Sequence, residues 1–548
     1  MSDPKVTDYL QRRMLLHRER QTWFNTWREL SQYIQPRRGR FSDVDKNNGR
    51  NRSRAIVDPV AKKAHGVLMS GMMAGLTSPA RPWFRLGLEN QDLMDSKAVT
   101  VWLDRATKRM QHVLKKSNFY NVMPIVYGEQ GLFGQAPLLI LEDDEQVVRF
   151  YPYTAGEYYI AQNARLTVDT IYRDTQLTVR QLVERFGLEN CSGNVQSLYR
   201  QGTLDQRIDV VHVIEPRKDH DPFSLRAEDK PIASIWFELG SEDKFLGVSG
   251  FEEGVIACPR WEVNSTDAYG LSPGMDALGD VKELMFAHKR KQQLIDKLAR
   301  PPMKGPTQLK HAEITTEAGR TTFVNEQTGR FEPAYVPNPA GVTAIHEEIQ
   351  DLRQRIHQTF YADLFQMLAL SDRRQMTARE VEERHEEKLL GLGPVIERNE
   401  NELLNIVIER VFSIMHKRGM FEPPPREMEG EELKIEYVSI LAQAQRLVGV
   451  GAVDRMVGFI GQAASFKPEA LDKLDVDETI DEYAAMLGVP PQIIKDSEEV
   501  AAIREQRAQM QQQQIALEQA KLAAETGKDL ADTKIDDTRN ALAAALGQ

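Results

Sequence analysis

Cysteine is almost absent: two thiols, Cys191 and Cys258, occur in 548 residues. That excludes a disulfide framework and a cysteine-based zinc cluster, and it suits a chain made in a reducing cytoplasm. Long hydrophobic runs are missing as well. No run of 18 uninterrupted apolar residues occurs, and the best stretch, 403–415, is broken by Asn405, Glu409 and Arg410. No membrane-spanning helix is therefore expected. The first ten residues carry charges and no apolar core, so no secretory signal is expected either. A basic excess is also lacking: 70 Lys and Arg stand against 81 Asp and Glu, a formal net charge of −11. Proteins that grip phosphates gain affinity by releasing counterions and need surplus cations. Tight, sequence-independent DNA binding is thus unexpected, whereas transient passage of a duplex past an acidic wall is compatible with this balance.

What is present suffices for folded cores, since 41% of the residues are hydrophobic. At roughly 100–200 residues per domain, the length suggests three or four units. Residues 6–33 read as a helix with Leu10, Met14, Leu16, Trp23, Trp27 and Leu30 to one side. The stretch 36–54 is a polar loop holding Arg37, Arg38, Arg40, Lys46, Arg50, Arg52 and Arg54, charges read mainly as solvated. A helix over 55–76, rich in Ala, Gly and Met, suggests close packing. Short β-type runs at 138–141, 147–151, 166–172 and 208–214, interrupted by a helix over 178–186, define an α+β region with mostly antiparallel pairing.

The middle of the chain has a distinctive order. A helix over 276–300 halts at Pro301-Pro302, a pair no helix continues through. A Gly- and Thr-rich insert follows, with β signals at 312–316, 320–324 and 334–336. Then Val342, Ile345, Ile349, Leu352, Ile356 and Phe360 recur at three- and four-residue spacing, an amphipathic helix with one apolar seam. A small β insert therefore sits at the far end of a two-helix stalk. The pattern loosens at 368–374 and restarts at Thr377-Ala378-Arg379-Glu380, a capping box. The helix it opens runs towards Met415 with a bend expected around Gly391, Gly393 and Pro394, before Pro423-Pro424-Pro425 closes the unit. From 431 the chain reads as a small helical domain. Its Gln- and Ala-rich tail from 504 has high helix propensity and almost no core of its own.

Apparent catalytic motifs fail on their chemistry. Gly270-Leu271-Ser272-Pro273-Gly274 matches G-x-S-x-G, but the residue after the nucleophile must donate a backbone N–H to the oxyanion hole. Pro273 has none, and a proline near a helix start is the better account. Glu142, Asp143, Asp144 and Glu145 suggest a metal-dependent phosphodiesterase, yet they lie between two strand signals, where a hairpin turn is expected. His346 with Glu347-Glu348 and His385 with Glu386-Glu387 lack the second histidine of H-E-x-x-H. No metal site and no cofactor are expected. The first stalk helix carries Lys282, Lys289, Arg290, Lys291, Lys297 and Arg300, with Lys304 and Lys310 in the insert and Arg373 and Arg374 in the later break. Lys282, Lys289 and Lys297 fall near one helix face. These cations are either a wet surface or a row facing DNA or a neighbouring subunit.

The string Asp267-Ala268-Tyr269-Gly270-Leu271-Ser272-Pro273-Gly274, leading into the first stalk helix, resembles the head-to-tail connecting (portal) proteins of podovirus-type phages. Arg374-Gln375-Met376-Thr377-Ala378-Arg379-Glu380-Val381 and Arg81-Pro82-Trp83-Phe84 are similar too, and the order of parts agrees along essentially the whole chain. The resemblance implies a predominantly helical α+β portal fold with wing, two-helix stem, β-containing clip, tunnel loop and helical crown. By that reading 1–263 is wing, 264–300 the first stem helix and its lead-in, and 301–341 the clip. The second stem helix is 342–366, the tunnel loop 367–376, a bent wing helix 377–425, the crown 426–503 and a helical tail or barrel 504–548.

The resemblance further implies a non-enzymatic homo-oligomer, a ring of twelve at one capsid vertex of the virion, assembled in the host cytoplasm. Implied partners are double-stranded DNA in the channel, terminase, major capsid and scaffolding proteins, a tail adaptor, and internal core or ejection proteins at the crown. Arg373, Arg374, Lys289, Lys297, Lys304 and Lys310 become the channel candidates. Twelve copies at −11 each would carry about −130 formal charges, which repels rather than traps a duplex.

Overall fold

The computed structural model describes residues 5–41, 53–94, 96–217, 219–221, 223–241, 244–305, 307, 310, 330–336, 338–371, 391–428, 430–439, 441, 456–462, 466, 476–477, 479–480, 500–517 and 521. Two compact units emerge: Met1–Gly87 with Leu103–Pro424 and Leu433–Val457, and Leu88–Trp102 with Pro425–Glu432 and Gly458–Gln548.

The first unit opens with α1 (Val6–Tyr33) and α2 (Val60–Leu76). Strand β1 (Phe84–Leu88) precedes α3 (Lys97–Lys116) and α4 (Phe119–Phe133). Helix α4 is largely buried, with Asn121 and Ile125 exposed, and its few polar residues are too scattered to mark a period. Strands β2 (Leu138–Asp143) and β3 (Val147–Pro152) form a hairpin, and β4 (Tyr158–Gln162) and β5 (Val168–Thr178) begin the main sheet. Two short helices follow, α5 (Val179–Phe186) and α6 (Gly193–Arg200). Strands β6 (Arg207–Pro216), β7 (Ile232–Glu238) and β8 (Gly247–Phe251) complete the sheet in the order β4-β5-β6-β7-β8, antiparallel throughout.

Alternation along β6 and β7 explains why both faces of that sheet are covered. Val211, Val213, Ala233, Ile235 and Phe237 face α1 and its Val6 and Leu16, whereas Val210 and Trp236 face Val179, Leu182 and Val195 of α5 and α6. Thr178 caps α5 with a capping box, its hydroxyl accepting from Gln181 N. The apolar stripe expected on α1 needs one correction. Trp27 and Leu30 are fully buried, but Met14 is 52% exposed, because α1 meets the sheet face through Val6 and Leu16 instead.

The basic loop after α1 is only in part the expected solvated segment: Arg37 and Arg54 are exposed, but two other arginines are engaged. Arg38 turns inward and donates to Glu129 Oε1 at 3.1 Å and to the Ile125 carbonyl at 3.2 Å, while Arg40 pairs with Glu157 at 3.6 Å. Lys46, Arg50 and Arg52 lie outside the described residues. Helix α2 begins at Val60, and residues 53–55 form a separate 3₁₀ turn. Its small residues do permit close packing: a Cβ on Gly71 would meet Phe365 Cγ at 2.1 Å.

Strand β9 (Ile256–Ala257) extends the β3-β2 hairpin. The long helix α7 (Pro273–Ala299) follows, then β10 (Met303–Lys304), β11 (Glu332–Pro333), α8 (Ala340–Thr359) and α9 (Ala362–Ser371). Strands β10 and β11 pair antiparallel at the base of the insert, Met303 opposite Pro333. The described pairing falls at 332–333, and residues 334–336 are not a strand. The runs at 312–316 and 320–324 lie outside the described residues. Along α8 the seam is buried at Ile349, Leu352, Ile356 and Phe360, while Val342 and Ile345 are only half-buried. Residues through Ser371 are helical, so the loosening expected from 368 begins no earlier than 372. A break comes sooner, at Tyr361, whose φ is +54° between α8 and α9. The capping box at 377–380 lies outside the described residues.

Residues 391–399 are helical through Gly391, Gly393 and Pro394, and the irregularity falls later, in a π turn at Glu400–Leu404 before α10 (Asn405–Lys417). The turn seats Glu402 against Arg260, whose Nη2 donates to Oε1 at 2.7 Å with the arginine only 3% exposed. π turns commonly reposition one side chain in this way. Strand β12 (Leu433–Tyr437) pairs with β1.

In the second unit, Ser96 Oγ donates to Glu427 Oε2 at 2.9 Å. Residues 500–517 are helical and largely exposed, Met510, Ile515 and Leu517 all by more than half. Arg504 bridges to both carboxylate oxygens of Asp477 at 2.5 and 2.7 Å. The helix has little core of its own, as its composition suggests.

Candidate functional site

The joint that launches α7 is built from the string 267–274. Ser272 is its N-cap: the Oγ accepts from Met275 N at 3.1 Å and donates to the Leu132 carbonyl at 2.8 Å, and Pro273 occupies the first turn. A serine that is 1% exposed and hydrogen-bonded on both sides holds a helix start rather than attacking a substrate. The neighbouring backbone passes so close that Gly134, at φ +90°, has no room for a side chain; a Cβ there would lie 1.9 Å from the Gly270 carbonyl oxygen. Tyr269 is buried against Trp27, ring centroids 5.4 Å apart, and its hydroxyl accepts from Ile160 N at 3.2 Å. The motif fastens the helix to the sheet domain.

Helices α7 and α8 then run side by side in opposite directions. Lys291 Nζ lies 3.0 Å from His346 Nδ1, Gly341 packs under Leu294, and Arg355 reaches Asp280 at 3.7 Å. One acid ties this pair to the body. Asp58, 3% exposed, accepts from His288 Nε2 at 2.8 Å and from Arg353 Nε and Nη2 at 2.9 and 2.8 Å, while its Oδ1 takes Val60 N at 2.9 Å. Burial alone would raise this carboxyl, but the bonds from Arg353, Val60 and His288 together hold it below its ordinary value. Sequence reading missed this clamp. Asp58 before Pro59 could have signalled a helix start, yet nothing local marks its two distant partners. An open groove of about 710 Å³ beside it carries Lys63, Arg353, His357 and Asp363.

The expected cations do not form one group. Lys282 is bound to Glu29 Oε2 at 2.7 Å and lies over Tyr33, so it belongs to the body. Lys289 and Lys297 are exposed on the same side of α7 and make no ion pair among the described residues. Eight residues separate them, about 12 Å along the axis. Lys304 pairs with Glu332 at 3.1 Å across β10 and β11, and Lys310 is exposed. Arg373 and Arg374 lie outside the described residues.

The acidic turn is a turn. Asp143 Oδ1 accepts from Glu145 N at 2.9 Å and Gln146 N at 2.7 Å, closing the β2–β3 hairpin, and Glu142 pairs with Arg410 at 3.5 Å. Among the described residues no group of three His, Cys, Asp or Glu is arranged to hold a metal, and no helix there is long and apolar enough to cross a membrane. Cys191 and Cys258 are both buried, and burial pushes both thiols up, away from the reactive thiolate.

The buried salt bridges, the capped serine and the clamped helix pair all serve to hold the fold together. The family model for bacteriophage head to tail connecting proteins matches residues 6–494. The chain is 44% identical over 511 residues to the portal protein of Salmonella phage epsilon15, covering 92% of each chain. It is also 44% identical over 511 residues to the probable portal protein of Bordetella phage BPP-1, again covering 92% of each. The chain belongs to the bacteriophage head to tail connecting, or portal, protein family, structural virion components rather than enzymes. A chain in the virion of a native gene transfer agent particle aligns at TM-score 0.33 and 13% identity over 78% of this chain and 99% of that one.

Proposed function

We propose that this chain is the repeating subunit of a twelve-membered ring at one capsid vertex. Duplex DNA passes through the ring during packaging and ejection, and terminase and then the tail dock on it. The observation that carries the reading is the end-to-end likeness to two phage portal proteins at 44% identity. In this reading α7 and α8 are the stem, the β10–β11 insert the clip, the sheet domain the wing, and the segment after 425 the crown and its helical tail. The Asp58 clamp suits a part that transmits force, because it couples both stem helices to the body at one buried point.

The ring would assemble in the host cytoplasm with capsid and scaffolding proteins, then receive a tail adaptor and internal core or ejection proteins. Net acidity favours sliding over capture, with phosphate contact left to a few cations such as Arg373 and Arg374. The test is in vitro packaging with capsids assembled with and without the chain. DNA uptake only by capsids that contain it is expected; equal uptake without it would overturn the reading.

A further inference from the structure

The outer sides of the two long helices carry opposite charge. At 100° per residue, Lys282, Phe286, Lys289, Arg290, Gln293 and Lys297 form one stripe along α7, opposite the side that buries Val281, Leu284 and Met285. Beyond Lys282, the stripe's cations Lys289, Arg290 and Lys297 are exposed and make no ion pair among the described residues. Phe286 is 53% exposed within it, with the Arg290 guanidinium 4.0 Å above its ring. On α8 the side away from Ile349, Leu352 and Ile356 presents Glu347 and Asp351, with Glu348 exposed at its edge. The one arginine there, Arg355, is already engaged by Asp280 at 3.7 Å and Asp351 at 3.5 Å.

The two charged sides are also level with one another. Lys291 sits beside His346 and Leu294 beside Gly341, so Lys289 and Arg290 stand within about one helical turn of the height of Glu347 and Glu348. Rotation about an axis running along the helices preserves height. A ring is closed by a heterologous contact, one patch of each copy meeting a different patch of the next.

We infer that the basic, Phe286-centred side of α7 in one copy packs on the acidic side of α8 in the next, with Lys289 and Arg290 opposite Glu347 and Glu348. This inference rests on the ring reading and refines it: Lys289 and Arg290 serve subunit contact, not DNA contact. Burying the half-exposed Phe286 supplies apolar area, and the opposed charges fix the register.

The experiment is a charge swap in the full chain, with ring fraction read by native mass spectrometry and electron microscopy. Lys289→Glu with Arg290→Glu, and separately Glu347→Lys with Glu348→Lys, should each lower the ring fraction about tenfold through like-charge opposition. The fourfold swap should restore it. An equimolar mixture of the two double variants should also form rings, since each then supplies the side the other lacks. Exchange protection of Leu352 and Ile356 at the wild-type level verifies that the variants are folded. Rings formed normally by the α7 double variant would overturn the inference, all the more if packaging then fails, since those cations would face DNA. A fourfold variant no better than either double variant overturns it equally. A wild-type chain that forms no ring removes the ring reading as well, whereas wild-type rings indifferent to every swap remove this inference alone.

Discussion

Asp58→Asn isolates the charge at the point where α7 and α8 are both tied to the body. The amide keeps an oxygen for Val60 N but faces the donors of His288 and Arg353 with no charge and one acceptor fewer. Hydrogen bonds to a charged group contribute about 1.5–3 kcal/mol each way they are lost. Arg353 is 35% exposed and His288 20%, so water recovers part of that, and a net cost of about 2 kcal/mol follows. Asp58→Ala also removes the Val60 bond and leaves both donors facing a gap, for about 3–4 kcal/mol.

The assay is urea unfolding combined with hydrogen exchange of the segments around 285–290 and 350–356. Exchange there should accelerate while the sheet domain around Val211 and Phe237 stays protected. The carboxyl is held below its ordinary value, so its contribution is full above about pH 4 and is lost as pH falls through the lowered value. Asp58→Asn should therefore converge with wild type in strong acid. Unchanged exchange in both helices, or a gap from wild type that widens below pH 4, would refute the reasoning.

Other outcomes follow from the same geometry. Burial, helped by the Arg38 charge, lowers the His65 imidazole to about 4. The unfolded chain takes up that proton near pH 6.5 and the folded chain does not, so stability is full above 6.5 and falls between 6.5 and 4, by about 3 kcal/mol. Unfolding series at pH 7 and 5 should show the fall, and His65→Gln should shrink it, though buried His212, lowered in the same direction, leaves a remainder. Ser272→Ala should cost about 1–2 kcal/mol through the lost N-cap, measured by unfolding midpoint, whereas Ser272→Thr should recover much of it. Gly134→Ala should give insoluble chain, because the added carbon meets the Gly270 carbonyl; soluble, ring-forming protein would contradict that. Reversing Arg373 and Arg374 to Glu should reduce packaged DNA and leave ring assembly intact.

Much of the fold was legible where periodicity is clean. Helix α1 runs over the expected residues, and Pro301-Pro302 does close α7, because a proline pair removes the donors a helix needs. The hairpin at Asp143 and the helix start at Pro273 could be read for a similar reason: both are local backbone chemistry. What escaped reading is long-range. Helix α4 has no polar side to define a period, β7 and β8 were unassigned, and the bend placed at Pro394 became a π turn dictated by Arg260, remote in sequence from Glu402. The site was legible only as a list of cations. Which of them are spent on Glu29 and Glu332, and that Asp58 gathers His288 and Arg353, depends on which surfaces meet.

The most direct test of the central claim is electron microscopy of the purified full chain, with the mass of the same sample measured natively. The account predicts rings with a central hole and a mass near twelve subunits of 62.4 kDa. A compact dimer or other small closed oligomer would contradict it.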